Sequence, residues 1–149
     1  MTLDKLIHIT LRHFENRLFE LATSGMMIAL SIHITIWPES IRASIFRFLL
    51  QMTGPVWLVP LFAIGGILRF AALVANGTWP IYGPKLRACG AIVGASLWAQ
   101  MCTSLVLYHC NTGNPPSPGI WVYLVLTIVE LIAMCRALVD YGRLDKAGL

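Results

Sequence analysis

Four apolar runs, residues 21–37, 55–75, 88–110 and 120–139, constrain this chain more than any other feature. Each approaches the ~20 residues with which an α-helix crosses a bilayer core, the first being the shortest. Of the 149 residues, 57% are hydrophobic and 12% charged, against about a quarter charged in soluble domains. A deficit of that size leaves too few charges to cover a water-facing surface. The expected fold is therefore all-α: one polytopic membrane domain over residues 1–149, an integral four-helix bundle in up-down-up-down order. No internal repeat of about 20–50 residues is visible.

Charge placement sets the expected orientation. Lys5, Arg12 and Arg17 precede the first run, Lys85 and Arg87 lie between the second and third, and Arg143 and Lys146 follow the fourth. In alternating order these seven share one side, and the other side holds only Arg42 and Arg47. The positive-inside rule then places both termini in the cytoplasm. Trp37, Trp57, Trp79 and Trp121 fall near run ends, as an aromatic belt requires. No cleavable signal peptide is evident, since Asp4, Glu15 and Glu20 precede the first run and no short apolar core follows Met1. No basic patch carries the interleaved exposed aromatics of a nucleic-acid interface. The expected partners are the lipid bilayer and either further copies of the chain or another membrane protein.

Residues 3–18 read as an amphipathic helix, with Leu3, Leu6, Ile7, Leu11, Phe14 and Leu18 at helical spacing. Basic residues flank that stripe, which suits the cytoplasmic headgroup layer. Residues 40–52 form a second amphipathic piece, too short and too charged to span, and expected on the outer surface. Between the second and third runs, Asn76, Gly77, Trp79, Pro80, Tyr82 and Pro84 predict a rigid interfacial turn. Gly77 can take a positive φ, the two prolines lack donors and hold φ, and Trp79 and Tyr82 are rings suited to the headgroups. Such a turn would fix where Arg69 points.

Arg69 and Glu130 stand inside apolar runs. In alternating order the second and fourth runs descend the same way, with Arg69 fourteen residues into its run and Glu130 ten into its own. At ~1.5 Å per residue their depths differ by about 6 Å, within reach of an arginine. A lone charge near the bilayer centre costs ~2.5–3.5 kcal/mol on insertion scales, so pairing is the expected remedy. Glu20 is a competing partner. Glu20, Arg69, Gln100 and Glu130 line a polar path on one reading, and form a structural clamp that fixes helix register on the other. Gly65 and Gly66, one turn before Arg69, and Gly90 and Gly94 in the third run permit close helix packing.

His33, His109 and Cys110 lie towards the outer boundary and offer weak metal-ligand candidates. No pair has helix ligand spacing such as HExxH, so side chains at headgroup level are the plainer reading, and neither metal nor cofactor is expected. Cys89, Cys102, Cys110 and Cys135 show neither a CxxC pattern nor a disulfide framework. No nucleophile elbow, P-loop, dinucleotide fingerprint or kinase signature occurs, and an enzyme is not expected.

The segments Glu15-Asn16-Arg17-Leu18-Phe19-Glu20, Ala75-Asn76-Gly77-Thr78-Trp79-Pro80 with Gly83-Pro84, and Pro116-Ser117-Pro118-Gly119-Ile120, together with Arg69, Glu130 and Cys135-Arg136-Ala137, resemble small uncharacterised four-span membrane proteins encoded by tailed bacteriophages. The likeness covers most of the chain. It implies a role at a bacterial inner membrane and carries no assigned activity. Holins are similar in size and span content, but many have fewer spans and a highly charged tail, unlike the short end here with Arg143, Asp145 and Lys146. The expected function is non-enzymatic: an oligomer, associating through the Gly90–Gly94 strip, that forms a holin-like pore or anchors a phage assembly. The alternative is a small transporter or proton-coupled carrier using Glu130 and Arg69, against which stands the absence of repeats and paired broken spans.

Overall fold

The computed structural model describes residues 17–42, 47–78 and 82–146. Among them every regular element is a helix: α1 (Leu18–Ile36), α2 (Glu39–Arg42), α3 (Arg47–Thr53), α4 (Pro55–Thr78), α5 (Tyr82–Thr112) and α6 (Gly119–Lys146). Four of these, α1, α4, α5 and α6, are long and apolar enough to cross a membrane by length and composition. The amphipathic helix expected over residues 3–18 falls, but for its last two residues, outside the described residues.

Local chemistry sets the helix ends. Pro38 follows α1, and a proline turns the residue before it away from helical angles. Gly54 and Gly113 adopt φ of 73° and 68°, a left-handed conformation that L side chains resist. Each closes the preceding helix, its N–H donating to Leu50 O at 2.8 Å and to His109 O at 3.0 Å respectively. Pro55 then opens α4 where a missing N–H costs little.

Several boundaries differ from the sequence expectation. α4 continues through Asn76 and Gly77 to Thr78, and α5 already starts at Tyr82, with Gly83 and Pro84 in its first turn. Of the turn expected over residues 76–84, residues 76–78 belong to α4 and 82–84 to α5, and Trp79 and Pro80 lie outside the described residues. The reason is positional. Proline is favoured in a first helical turn, where its absent N–H has no acceptor to miss, and one glycine in a helix costs only about 1 kcal/mol. Tyr82 is exposed, whereas Gly83 and Pro84 are buried. α6 likewise runs beyond Val139 to Lys146. These extensions carry Arg87 and Asp140 from the expected flanks into helices.

The long helices pack on their sequence neighbours: α1 on α4, α4 on α5, and α5 on α6, while α1 and α6 touch only lightly. Paired contacts show each neighbouring pair running antiparallel: Thr23 with Arg69 and Ser24 with Gly66, Phe62 with Trp98 and Arg69 with Gly90, Gly94 with Glu130 and Cys102 with Ile120. The start of α1, the end of α4, the start of α5 and the end of α6 therefore share one end, here called basal. The opposite, apical end carries α2, α3 and the 113–118 connection. An apolar core of Met27, Ile34, Leu58, Phe62, Leu97, Trp98 and Met101 fills the apical half. Trp98 stacks on Tyr123 with centroids 5.9 Å apart. The 40–52 segment is more than a surface layer: Leu49 of α3 is buried in that core, and its N–H donates to Ser104 Oγ at 3.0 Å.

α1 and α4 approach closely at Gly65 and Gly66. A Cβ on Gly66 would stand 3.1 Å from both Ser24 O and Ile28 N, and one on Gly65 2.6 Å from Met27 Cε. Ser24 Oγ uses the gap to donate to Gly66 O at 2.8 Å. Gly66→Ala is therefore expected to lower the thermal unfolding midpoint in detergent, by an overpacking cost of about 1–3 kcal/mol. Gly25→Ala, on α1 with nothing within 4 Å of the added carbon, should leave that midpoint unchanged or raise it. Equal losses in the two variants would contradict this close approach.

Candidate functional site

Two charged side chains in the middle of the apolar helices are almost sealed from solvent, Arg69 at 2% exposure and Glu130 at 0%. Arg69 Nη1 lies 2.5 Å from Glu130 Oε2. The pair joins α4 to α6 past α5, and α5 gives way through glycine. A Cβ on Gly94 would stand 2.8 Å from Glu130 Cδ, and one on Gly90 3.5 Å from Arg69 Cα. A side chain at position 94 would displace the carboxylate. Both glycines are thereby occupied inside the chain rather than offered to a second copy.

Hydrogen bonding around the pair is incomplete. Arg69 Nε donates to Thr23 Oγ1 at 3.1 Å, but Arg69 Nη2, both Glu130 oxygens and Trp98 Nε1 lack an aligned hydrogen-bond partner among the described residues. Thr23 and Trp98 nonetheless face the same carboxylate. The short Arg69–Glu130 contact is thus an ion pair by distance rather than an aligned hydrogen bond. The distance is the better guide to the energetics, because Coulomb attraction depends weakly on angle and strongly on separation.

Glu20 belongs to a second cluster at the basal end. Arg87 Nε donates to Glu20 Oε2 at 3.0 Å, and Arg87 Nη2 meets Glu20 Oε1. Arg87 Nη1 donates to Asp140 Oδ2 at 3.0 Å, and Arg17 Nη2 stands 3.9 Å from the same oxygen. Arg87 and Glu20 are both buried. Burial, and next the adjacent Arg87 charge, push the Arg17 guanidinium down from its ordinary value.

The two clusters form one line. The junction is the Glu20 backbone: Thr23 Oγ1 donates to the main-chain carbonyl of Glu20 at 3.2 Å. The Glu20 carboxylate faces Arg87, which also holds Asp140, and Thr23 in turn accepts from Arg69, the partner of Glu130. On the apical side of Glu130 lies the buried core of Met27, Phe62, Trp98 and Met101, to which Trp98 Nε1 contributes a polar atom facing the carboxylate. Gln100, expected on the path, is not joined to it: its Oε1 is buried without a partner among the described residues. Ser24 bonds across to α4, whereas Thr35, Ser96, Thr103 and Thr127 bond back to their own helices.

The metal candidates have other surroundings. His33 packs on Trp37 with centroids 5.1 Å apart, His109 Nδ1 contacts Asn114 O, and Cys110 is exposed. Among the described residues no three His, Cys, Asp or Glu side chains gather as ligands.

Arg87 was missed as a site residue because charge counting assigns it to the flank of a run, and Asp140 because it falls just past the end of the 120–139 run. The available signal was Gly83-Pro84 read as a helix start, which puts Arg87 in the first turns of α5, level with Glu20 near the start of α1. No family model matches the chain, and neither a curated protein nor a solved structure is similar to it.

Removing one partner of a buried ion pair strands the other charge, at a cost of about 3–5 kcal/mol. Arg69→Met and Glu130→Gln should each lower the unfolding midpoint in detergent, and the double variant should recover much of the loss. Arg69→Met combined with Glu20→Gln should be near additive, since Glu20 is held by Arg87. Recovery with Glu20→Gln instead would reassign the partner.

Proposed function

We propose that the chain is a four-span integral membrane protein, an up-down-up-down bundle with both termini in the cytoplasm. It acts without chemistry of its own, as a membrane anchor or scaffold for a phage process at a bacterial inner membrane. The observation that carries the anchor reading is the one-sidedness of the polar line, which reaches Glu130 from the basal end and stops against the apical core. A conducting path needs polar groups on both sides, while a clamp needs only partners. Exposed apolar side chains along all four long helices, with Trp37, Trp57 and Trp121 exposed at apical helix ends, support burial in lipid with an aromatic belt. The Lys/Arg asymmetry supports the orientation, and the resemblance to phage-encoded proteins supports the bacterial setting. The pore version loses its motivation, because Gly90 and Gly94 pack on Arg69 and Glu130. A homo-oligomer would have to use another face.

A second reading, a proton-coupled carrier, is favoured by one observation: Glu130 carries both oxygens without aligned hydrogen bonds among the described residues, at the inner end of a connected polar line. Two experiments separate and test these readings. With Cys110 kept as the sole cysteine, a membrane-impermeant maleimide should label it from outside in intact bacteria. Labelling only after the inner membrane is breached would invert the topology. In liposomes carrying a pH-sensitive dye, the purified protein should pass no protons. A flux abolished by Glu130→Gln would replace the anchor with the carrier.

A further inference from the structure

α1 and α6 touch far more lightly than the helices that follow one another in the chain. At the basal end of the seam between them lies a groove of about 580 Å³, continued by a smaller one of about 160 Å³. Its mouth is ionic: Arg17, Arg87, Arg136 and Arg143 stand against two carboxylates, Glu20 and Asp140. Those carboxylates are already taken up by Arg87 and Arg17. Arg136 and Arg143 are exposed, and no ion pair joins either to a carboxylate among the described residues. Among the described residues the mouth therefore carries surplus positive charge, which an added anion would neutralise.

The floor of the groove is apolar and belongs to α6. Ile128, Leu131, Ile132 and Val139 line it and are each about half exposed. From Val139 to Ile128 the helix rises about 16 Å at ~1.5 Å per residue. That matches one leaflet, half of a hydrocarbon core of ~30 Å. Guanidinium groups at the basal rim followed by a leaflet-deep apolar wall have the polarity profile of a phospholipid, with the charged end at the end of the protein where headgroups would lie. A soluble anion would use the arginines and leave the wall uncovered.

We propose that this seam binds one anionic phospholipid, its phosphate on Arg136 and Arg143 and an acyl chain laid along Ile128, Leu131 and Ile132. Guanidinium forks suit the phosphate oxygens, since each can donate two parallel hydrogen bonds. The lipid would fill the weak α1–α6 contact and so complete the packing of the four helices. The proposal rests on the membrane reading above.

The test is native mass spectrometry of the full chain in detergent, with phosphatidylglycerol or phosphatidylcholine of identical acyl chains. The protein should retain phosphatidylglycerol in preference to phosphatidylcholine. Arg136→Gln and Arg143→Gln should each weaken that retention about fivefold, the weight of one basic residue facing anionic lipid. Lys85→Gln removes a charge at the same end, where Lys85 sits over the Tyr141 ring at 4.6 Å outside the groove, and should leave retention unchanged. Equal retention of the two lipids, or an equal loss in Lys85→Gln, would overturn the site. Displacement of phosphatidylglycerol by millimolar inorganic phosphate would assign the arginines to a free anion and likewise overturn it. Carbonate extraction of the same cells keeps the two proposals apart. Release into the soluble fraction defeats the membrane reading, whereas retention in the membrane without lipid preference defeats only the lipid site.

Discussion

A guanidinium and a carboxylate without access to water must find each other, because an unpaired charge in an apolar interior costs several kcal/mol. Arg69 and Glu130 meet that condition across α5, and much of the remaining architecture follows from it. α5 has glycine at position 94 because the carboxylate occupies the space that a side chain would fill, while at Gly90 an added Cβ would rest in ordinary contact with Arg69. Thr23 of α1 faces Arg69 because the remaining guanidinium N–H groups need acceptors. One ion pair thereby brings three of the long helices into register, and Thr23 adds the fourth.

The same requirement operates at the basal end with different numbers. There two carboxylates and two arginines share one cluster, and Arg87 spans Glu20 on α1 and Asp140 on α6. Charge-assisted hydrogen bonds of that kind are about twice as strong as neutral ones. They hold α1, α5 and α6 together where apolar contact between α1 and α6 is thin. The apical half is held by ring packing and by Leu49 bonding to Ser104. The molecule is thus polar-clamped at the basal end and apolar-packed at the apical end. That asymmetry is why a static anchor fits it better than a conduit.

How far this was legible in the sequence depended on what each residue needed. The four long helices could be read from run length alone, since few structures other than a helix accommodate so many consecutive apolar residues. The proximity of Arg69 and Glu130 followed from rise per residue and alternating direction, with Glu20 left open as a rival. Glu20 goes elsewhere because Arg87 lies in α5 rather than in a loop, and that was hidden by treating Pro84 as a helix breaker. Proline breaks a helix interior but starts a helix well, and only the position of Tyr82 distinguishes the two. Gln100 is the converse case: a polar side chain at plausible spacing whose buried Oε1 meets no partner among the described residues. The Gly90–Gly94 strip was read as a surface for other copies, because a small-residue pattern records close approach without recording by what.

The most direct measurement of the central ion pair is solid-state NMR in lipid bilayers on protein carrying ¹⁵N-arginine and ¹³C-glutamate. A through-space correlation between an arginine side-chain nitrogen and a glutamate Cδ should vanish in Arg69→Met and in Glu130→Gln, while the Arg87–Glu20 correlation persists in both. If the Arg69 guanidinium instead shows dipolar coupling to lipid ³¹P and none to Glu130, it reaches the headgroups and the buried pair does not exist.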